Sequence, residues 1–366
     1  PEELTRLVRE QHKIARTYEE CLDRVRQFGQ EQSFLIGIRI LSATITGEEA
    51  GFAYSALASA VITSLKEQVE WGMERQHGAV PGGGMAVLGM GKLGGQEMAA
   101  NSDLDLIIIY RYEGDGESSG LKPLAPTQYY NRATQRLISS LSVPTAEGGL
   151  YEVDMRLRPS GKSGPVATSL AAFNVYQDKD AWTWEHLALT RARVIAAPDK
   201  LRGDIEKTIA GVLMRRRDRQ KIAKDVLDMR ERIAKEKGTN AIWDMKQIRG
   251  GLIDLEFIAQ FLQLIHAADH PEILDQNTIG ALCKARNAGI LETGDANKLI
   301  AAVHLYSTLG QIVRLCQDGL FDPEQAPQDL KELLCRSVGV EDFSKIEPML
   351  VAHQKAVAEL FEKIIR

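Results

Sequence analysis

The chain is poor in cysteine. Four occur in 366 residues, Cys21, Cys283, Cys316 and Cys335. They stand far apart, without a C-x-x-C pair, in contexts of helical periodicity. That spacing argues against a disulfide scaffold or a zinc site and favours buried thiols in a reducing cytoplasm. Positive charge is not in excess: 45 Lys and Arg face 50 Asp and Glu, a net charge of −5. The basic footprint of a nucleic-acid binder is therefore missing. No apolar run approaches the length of a membrane span, and no signal peptide is visible. Pro1 is not an initiator Met, so a piece of a longer protein is expected. No G-x-x-x-x-G-K-[ST] occurs, which excludes a P-loop. Internal repeats and low-complexity stretches are absent.

What is present is ordinary in bulk. A hydrophobic share of 44% and a charged share of 26% fit a globular protein, and the length allows two or three domains. The informative stretch begins at Met85-Ala86-Val87-Leu88, which reads as a strand. A glycine-rich turn follows, Gly89-Met90-Gly91-Lys92-Leu93-Gly94-Gly95. After it come Ser102-Asp103-Leu104-Asp105 and the run Leu106-Ile107-Ile108-Ile109-Tyr110. Leu104 to Tyr110 is rich in β-branched residues and reads as a buried strand. Residues two apart in a strand share a side, so Asp103 and Asp105 share a face, roughly 6.6 Å apart at ordinary strand rise. Two carboxylates at the mouth of an apolar strand repel each other and resist burial. Divalent cations such as Mg²⁺ relieve that, because they prefer hard oxygen ligands. A pair of such ions is a common clamp for in-line phosphoryl chemistry.

The turn contains G-x-G-x-x-G, the fingerprint of a dinucleotide site. Length excludes it. Only Gln96 to Ser102 separate Gly95 from Asp103, and a parallel βαβ crossover needs a dozen residues or more. The acids also open the next strand, whereas a ribose-binding acid belongs near its far end. What fits is a strand, a Gly-Gly turn over phosphates, a single helical turn, and a strand carrying D-x-D. That order resembles the nucleotidyltransferase superfamily that includes DNA polymerase β. D-x-D alone would equally describe an exposed strand start; its junction with Gly-Gly and a wholly apolar strand favours metal binding.

The first eighty residues have helical periodicity throughout, broken at Val80-Pro81-Gly82-Gly83-Gly84. Glu113 to Pro126 is a polar loop, and residues 127–141 read as a helix. Leu150 to Pro159 alternates strictly: Tyr151, Val153, Met155 and Leu157 face one way, Glu152, Asp154, Arg156 and Arg158 the other. A half-buried strand accounts for the apolar side. The charged side is either a salt-bridged solvent face or a third carboxylate, Asp154, beside the pair, with the arginines on phosphates. Ser160 to Pro165 serves equally as a lid over a triphosphate or a plain surface loop. Residues 170–177 and 182–189 read as helices, with Trp182 and Trp184 expected in the core. Beyond Lys200 the pattern is helical apart from a short possible strand at Ala241 to Trp243. Residues 214–237 hold ten basic and five acidic side chains, the composition of a solvated helix face. Three domains are expected: residues 1–80 helical, 81–200 the catalytic domain, and 201–366 a helical partner-binding domain.

These motifs together resemble bacterial glutamine synthetase adenylyltransferase. The likeness rests on Gly89 to Gly95, Ser102 to Leu106 and Tyr151-Glu152-Val153-Asp154-Met155-Arg156-Leu157-Arg158-Pro159. It extends to Asp244-x-Lys246 and Gly250-Gly251-Leu252-x-Asp254-x-Glu256. The family enzyme has two homologous nucleotidyltransferase halves. One attaches AMP to a tyrosine of glutamine synthetase and the other removes it by phosphorolysis. The Tyr151 to Met155 strand and Trp182 to Arg193 are more similar to the C-terminal, adenylylating half.

The resemblance implies an α+β fold with a polymerase β-like sheet flanked by helices. It implies ATP as substrate and two Mg²⁺ ions held by Asp103, Asp105 and Asp154. Backbone around Gly94 and Gly95, with Ser102, would cradle the phosphates, and Lys92, Arg156 and Arg158 would neutralise developing charge. Glutamine synthetase is the implied protein substrate, with PII-type signal proteins and glutamine as effectors, and neither nucleic acid nor membrane is an expected partner. Two other functions stay open: the deadenylylating half, and a regulatory module with a vestigial metal site.

Overall fold

The computed structural model describes residues 2–15, 17–114, 116–146 and 148–366, the side chains of His12, Lys13 and Ile14 excepted. Pro1, Ile14 on the first helical stripe and Asp115 in the polar loop are therefore outside the described side chains. The chain divides into two compact units, each assembled from non-contiguous segments. The first comprises residues 1–35, 53–181 and 191–212, and the second residues 36–52, 182–190 and 213–366. The units cut across the boundaries expected at 80 and 200. Most of the N-terminal helical region belongs to the same unit as the strands.

The first unit contains α1 (Glu2–Ile14) and most of α2 (Tyr18–Leu41) and α3 (Gly47–His77). Its sheet begins with β1 (Gly84–Gly89), followed by the single turn α4 (Gly91–Gly94) and β2 (Leu104–Arg111). Next come α5 (Pro126–Ser142), β3 (Val153–Asp154), β4 (Ala167–Ser169) and α6 (Leu170–Lys179). Beyond α7 (Thr183–Leu189), which belongs to the second unit, lie β5 (Arg193–Ala196) and α8 (Asp199–Leu213). The strand order is β3-β2-β1-β5, with β4 also on β2.

β1 and β2 pair antiparallel, Val87 opposite Ile108, as the short connection between them requires. Met85 to Leu88 and Leu104 to Ile109, Asp105 apart, are at most 1% exposed. Such continuous apolar strands need cover on both faces. The helices supply the apolar stripes: Leu57, Val61 and Leu65 of α3, Leu137 and Leu141 of α5, and Leu201 and Ile205 of α8 are all buried.

The alternating segment 150–159 does not form one strand. Only Val153 and Asp154 pair, parallel to β2, and the chain then turns out of the sheet before returning as β4 farther along the same edge of β2. Local chemistry explains the exit. Pro159 and Pro165 lack the amide that a ladder needs, and Ser160 is left-handed at φ 60°. The Arg158 guanidinium closes the loop by donating to the carbonyls of Met155 at 2.8 Å, Pro165 at 3.1 Å and Gly164 at 3.4 Å.

The second unit holds α7, α9 (Arg219–Lys237), α10 (Leu252–His266), α11 (Thr278–Asn287), α12 (Thr293–Cys316), α13 (Gln328–Val338) and α14 (Ile346–Ile365). Its helix starts follow side-chain caps. Asp218 accepts from the Gln220 and Lys221 amides, and Asn277 from Gly280. Residues 241–243, expected as a strand, form a turn in which the buried Trp243 donates to Glu347 at 2.9 Å. Trp182 and Trp184 are not core residues: they are 71% and 39% exposed, while Leu187 and Leu189 carry the buried face of α7. Cys21 and Cys335 are buried, but Cys316 is exposed at the end of α12. α12 is long and apolar enough to cross a membrane by length and composition alone, and half of its most apolar window is buried inside the protein.

The basic stripe of α9 is not wholly solvated. Arg230 is 5% exposed and donates through Nε to Asp254, which is fully buried. Asp254 also accepts from the Gly250 amide and from Arg249. Gly250 sits at φ 78°, and a Cβ there would stand 1.8 Å from the Gln354 carbonyl, so the Arg-Gly-Gly turn is a packing device. Removing one partner of a buried ion pair leaves the other charge without compensation. Asp254→Ala is expected to cost the second unit about 3–5 kcal/mol, measured by urea unfolding; a loss below about 1 kcal/mol would show that Asp254 does not organise this turn.

Candidate active site

β2 and the short β3 supply the acidic side chains. The Leu104 amide donates to the Glu152 carbonyl at 2.8 Å, which fixes the start of the parallel pair. Leu104 and Leu106 point into the core, so Asp103 and Asp105 take the opposite side. Asp103 precedes the strand's first residue and is exposed, and Asp105 is half-buried. Asp154 is the register partner of Asp105, and partners on neighbouring strands present their side chains to one face.

The crowding registers in the titration of Asp105. Its carboxyl is pushed up from 3.8 to about 6, first by burial and then by the charges of Asp154 and Asp103, with Arg191 and Arg156 opposing. Asp154 is shifted the other way. The Arg156 side chain and amide donate to it at 2.6 and 2.8 Å and hold it below the usual carboxylate range, and Lys162 adds to the effect.

Three carboxylates on one face suit a hard divalent cation, and Gly91 leaves room beside them. Gly91 has φ 50°, and a Cβ there would stand 2.3 Å from Asp105 Oδ2. The acids are not drawn into a finished cage, because Asp154 is turned onto Arg156. Among the described residues no group of three His, Cys, Asp or Glu side chains is close enough to hold a metal ion. The carboxylate oxygens are of the type such ions prefer, and Asp154 is engaged by Arg156.

The glycine turn is built differently from the expected cradle. The amides of Gly94 and Gly95 donate to the carbonyls of Met90 at 2.9 Å and Gly91 at 3.0 Å, so they are committed within the turn. Gly94 is there for space: a Cβ would meet the Arg191 carbonyl at 1.8 Å. Ser102 is buried, and its hydroxyl accepts the Ala99 amide at 2.9 Å, closing the turn ahead of Asp103. Arg158 is spent on its own loop. Lys92 is half-buried on α4, and Arg156 is exposed.

Two residues that carry the site's geometry were not assigned to it from sequence. Arg191 is 4% exposed; its Nε donates to the Gly91 carbonyl at 3.0 Å and its Nη2 to Glu97 at 2.5 Å. Arg193 donates to the carbonyls of Gly94 at 3.2 Å and Leu93 at 3.0 Å. Both brace α4 from the edge of β5. The signal was Arg191-Ala192-Arg193, two cations one strand repeat apart, masked by the helical texture before it. Backbone strain gathers in the same loops. Of the positive-φ residues other than glycine among the described residues, Gln96 and Asn101 lie between α4 and β2, and Ser160 follows β3.

A sequence model of the glutamate-ammonia ligase adenylyltransferase family matches residues 1–208, more than half of the chain and the whole of this sheet. The chain belongs to the glutamate-ammonia ligase adenylyltransferase family. A second model, PII-uridylyltransferase, matches residues 219–365. Curated relatives include the bifunctional glutamine synthetase adenylyltransferase/adenylyl-removing enzymes of Rhodopseudomonas palustris CGA009, 48% identical over 352 residues, and of Rhizobium meliloti 1021, 49% identical over 354. Each alignment covers 96% of this chain and 36% of the relative. The chain thus spans about a third of the length of these glutamate-ammonia ligase adenylyltransferases.

Because the native Asp105 holds its proton more tightly than an unfolded aspartate, its contribution to stability is full below about pH 4 and is lost as pH rises through about 6. In the metal-free protein Asp105→Asn is therefore expected to be more stable than wild type at pH 7.5, by roughly 1–2 kcal/mol after allowance for solvent screening. Near pH 4 the two should differ little. Thermal melts across this range check it, and a wild type more stable at pH 7.5 would contradict the crowding. Gly94→Ala is expected to destabilise the first unit by about 3 kcal/mol or more; an unchanged melting temperature would contradict the close approach of Arg191.

Proposed function

We propose that the chain transfers AMP from ATP to a tyrosine hydroxyl of glutamine synthetase, releasing pyrophosphate. The observation that supports this best is the register of β3 on β2, which sets Asp154 beside Asp105 with Asp103 ahead of it. The names of the curated relatives suggest the protein substrate. Asp103, Asp105 and Asp154 would hold two Mg²⁺ ions, which when bound supply charge neutralisation at the phosphates and ease ionisation of the nucleophile.

The chain's own residues do the rest. Asp154, released by Arg156 as ATP enters, orients the target hydroxyl and accepts its proton. An ordinary tyrosine has a pKa of about 10, so this help is needed at neutral pH. The phenolic oxygen then attacks the α-phosphorus in line. Arg156, exposed on a mobile-length side chain, passes from Asp154 to the phosphates as ATP enters, with Lys92 and Lys162 adding positive charge. Arg158, Ser102 and the two glycines hold the loops that carry these groups. Arg191 and Arg193 keep α4 seated against Asp105.

A second proposal concerns the helices from α9 onward. Their similarity to PII-uridylyltransferase favours docking of a PII-type signal protein by this unit. Glutamine as a further effector rests on the family resemblance alone.

Incubation with ATP, Mg²⁺ and glutamine synthetase is expected to add the mass of one AMP to a tyrosine. Release of ADP from AMP-modified glutamine synthetase and phosphate, without forward transfer, would instead assign the chain to the deadenylylating direction. Asp103→Asn and Asp105→Asn are each expected to lower transfer at least about 100-fold, roughly the cost of losing one strong electrostatic stabiliser, while the fold survives. Transfer of radiolabelled AMP at the wild-type rate in either variant would overturn the assignment.

A further inference from the structure

Within the first unit, α2, α3 and α5 enclose a groove of about 640 Å³, a volume suited to a small organic molecule. Its apolar wall includes Leu22, Val69 and Trp71, and its polar wall includes Arg26, Arg132 and Arg136. Among the described residues no acidic side chain lines it.

Arg26 is the unusual member. It is 1% exposed. Its Nη2 donates to the carbonyls of Val143 at 2.7 Å and Ser140 at 3.2 Å, but Nε and Nη1 are buried without a hydrogen-bond partner. Asp23 Oδ1 stays 4.0 Å from Nη1 and accepts the Thr145 hydroxyl at 2.6 Å. A buried guanidinium with unmade hydrogen bonds carries a standing cost, which an anionic acceptor removes through charge-assisted bonds. Among the described residues Arg136 donates to a neutral partner, the Gln76 side-chain oxygen, at 2.6 Å. The groove therefore combines a surplus of positive charge with an apolar bed.

We infer that this groove is a binding site for a small amphipathic monocarboxylate, its carboxylate directed to the Arg26, Arg132 and Arg136 side and its apolar body against Leu22, Val69 and Trp71. The apolar bed selects a carboxylate with a hydrocarbon body over inorganic phosphate, which has nothing to bury. The site is separate from the aspartate cluster and stands whether or not AMP transfer is the activity. Trp71, 55% exposed, reports on it directly.

The test uses the full chain and five probes: benzoate, hexanoate, their neutral amides, and inorganic phosphate. The indole resonance of Trp71, identified by its loss in Trp71→Phe, is followed by NMR. Benzoate or hexanoate is expected to shift it saturably. Both amides and phosphate should bind at least about tenfold more weakly, a difference of one charge-assisted contact. The surface variant Arg132→Gln/Arg136→Gln should weaken carboxylate binding by a similar factor with an unchanged melting temperature, and Arg26→Lys serves as a second variant at the buried position. Absence of a saturable shift, equal binding of amides, equal binding of phosphate, or carboxylate affinity untouched by the double variant would each overturn the site.

Discussion

Like charge forced together at the edge of a buried strand is the constraint on which the architecture of the candidate site depends. β2 must be apolar to lie inside the sheet, and its first turn outward places Asp105 next to Asp154 and behind Asp103. Left alone, that grouping opposes folding at neutral pH. The structure answers with three cations set from two sides: Arg191 from the edge of β5, and Arg156 and Lys162 from the loop after β3. The same cations explain why the cluster is held open. While Arg156 grips Asp154, the acids do not close on a common centre among the described residues.

The glycine turn owes its sequence to space. Gly91 lets the Asp105 carboxylate lie against the backbone, and Gly94 lets β5 enter carrying the Arg191 carbonyl. Arg191 and Arg193 then fasten the turn through its carbonyls, leaving its amides inside the helical turn. The turn is thus a rigid shelf for the acids. In the second unit a comparable economy holds at Gly250, whose missing side chain makes room for the Gln354 carbonyl while its amide donates to Asp254, which Arg230 neutralises.

Much of this was legible in the sequence because the decisive signals are local. The run from Leu104 to Tyr110, the acids two apart, and the connection too short for a parallel crossover fixed an antiparallel pair with D-x-D at its mouth. Helices from α9 onward followed from apolar spacing. What escaped was set by tertiary partners. Alternation from Tyr151 to Leu157 described a strand, yet Arg158 folded the segment back on its own carbonyls, a contact that no periodicity reveals. The short β5 was hidden because its role is to meet β1, far away in the chain. The commitment of the Gly94 and Gly95 amides to carbonyls within the turn, and of Ser102 as acceptor for the Ala99 amide, was likewise not legible in the sequence. Family membership reaches beyond these details, although the chain accounts for about a third of the relatives' length.

The central claim is that Asp103, Asp105 and Asp154 act as one cation-binding group. Binding of Mn²⁺ in the presence of a non-hydrolysable ATP analogue, followed by electron paramagnetic resonance, tests it most directly. The account predicts saturable binding that each of the three Asp→Asn substitutions weakens, Asp154→Asn included. Undiminished Mn²⁺ affinity in Asp154→Asn would contradict it, since the acid on the neighbouring strand would then have no share in the centre.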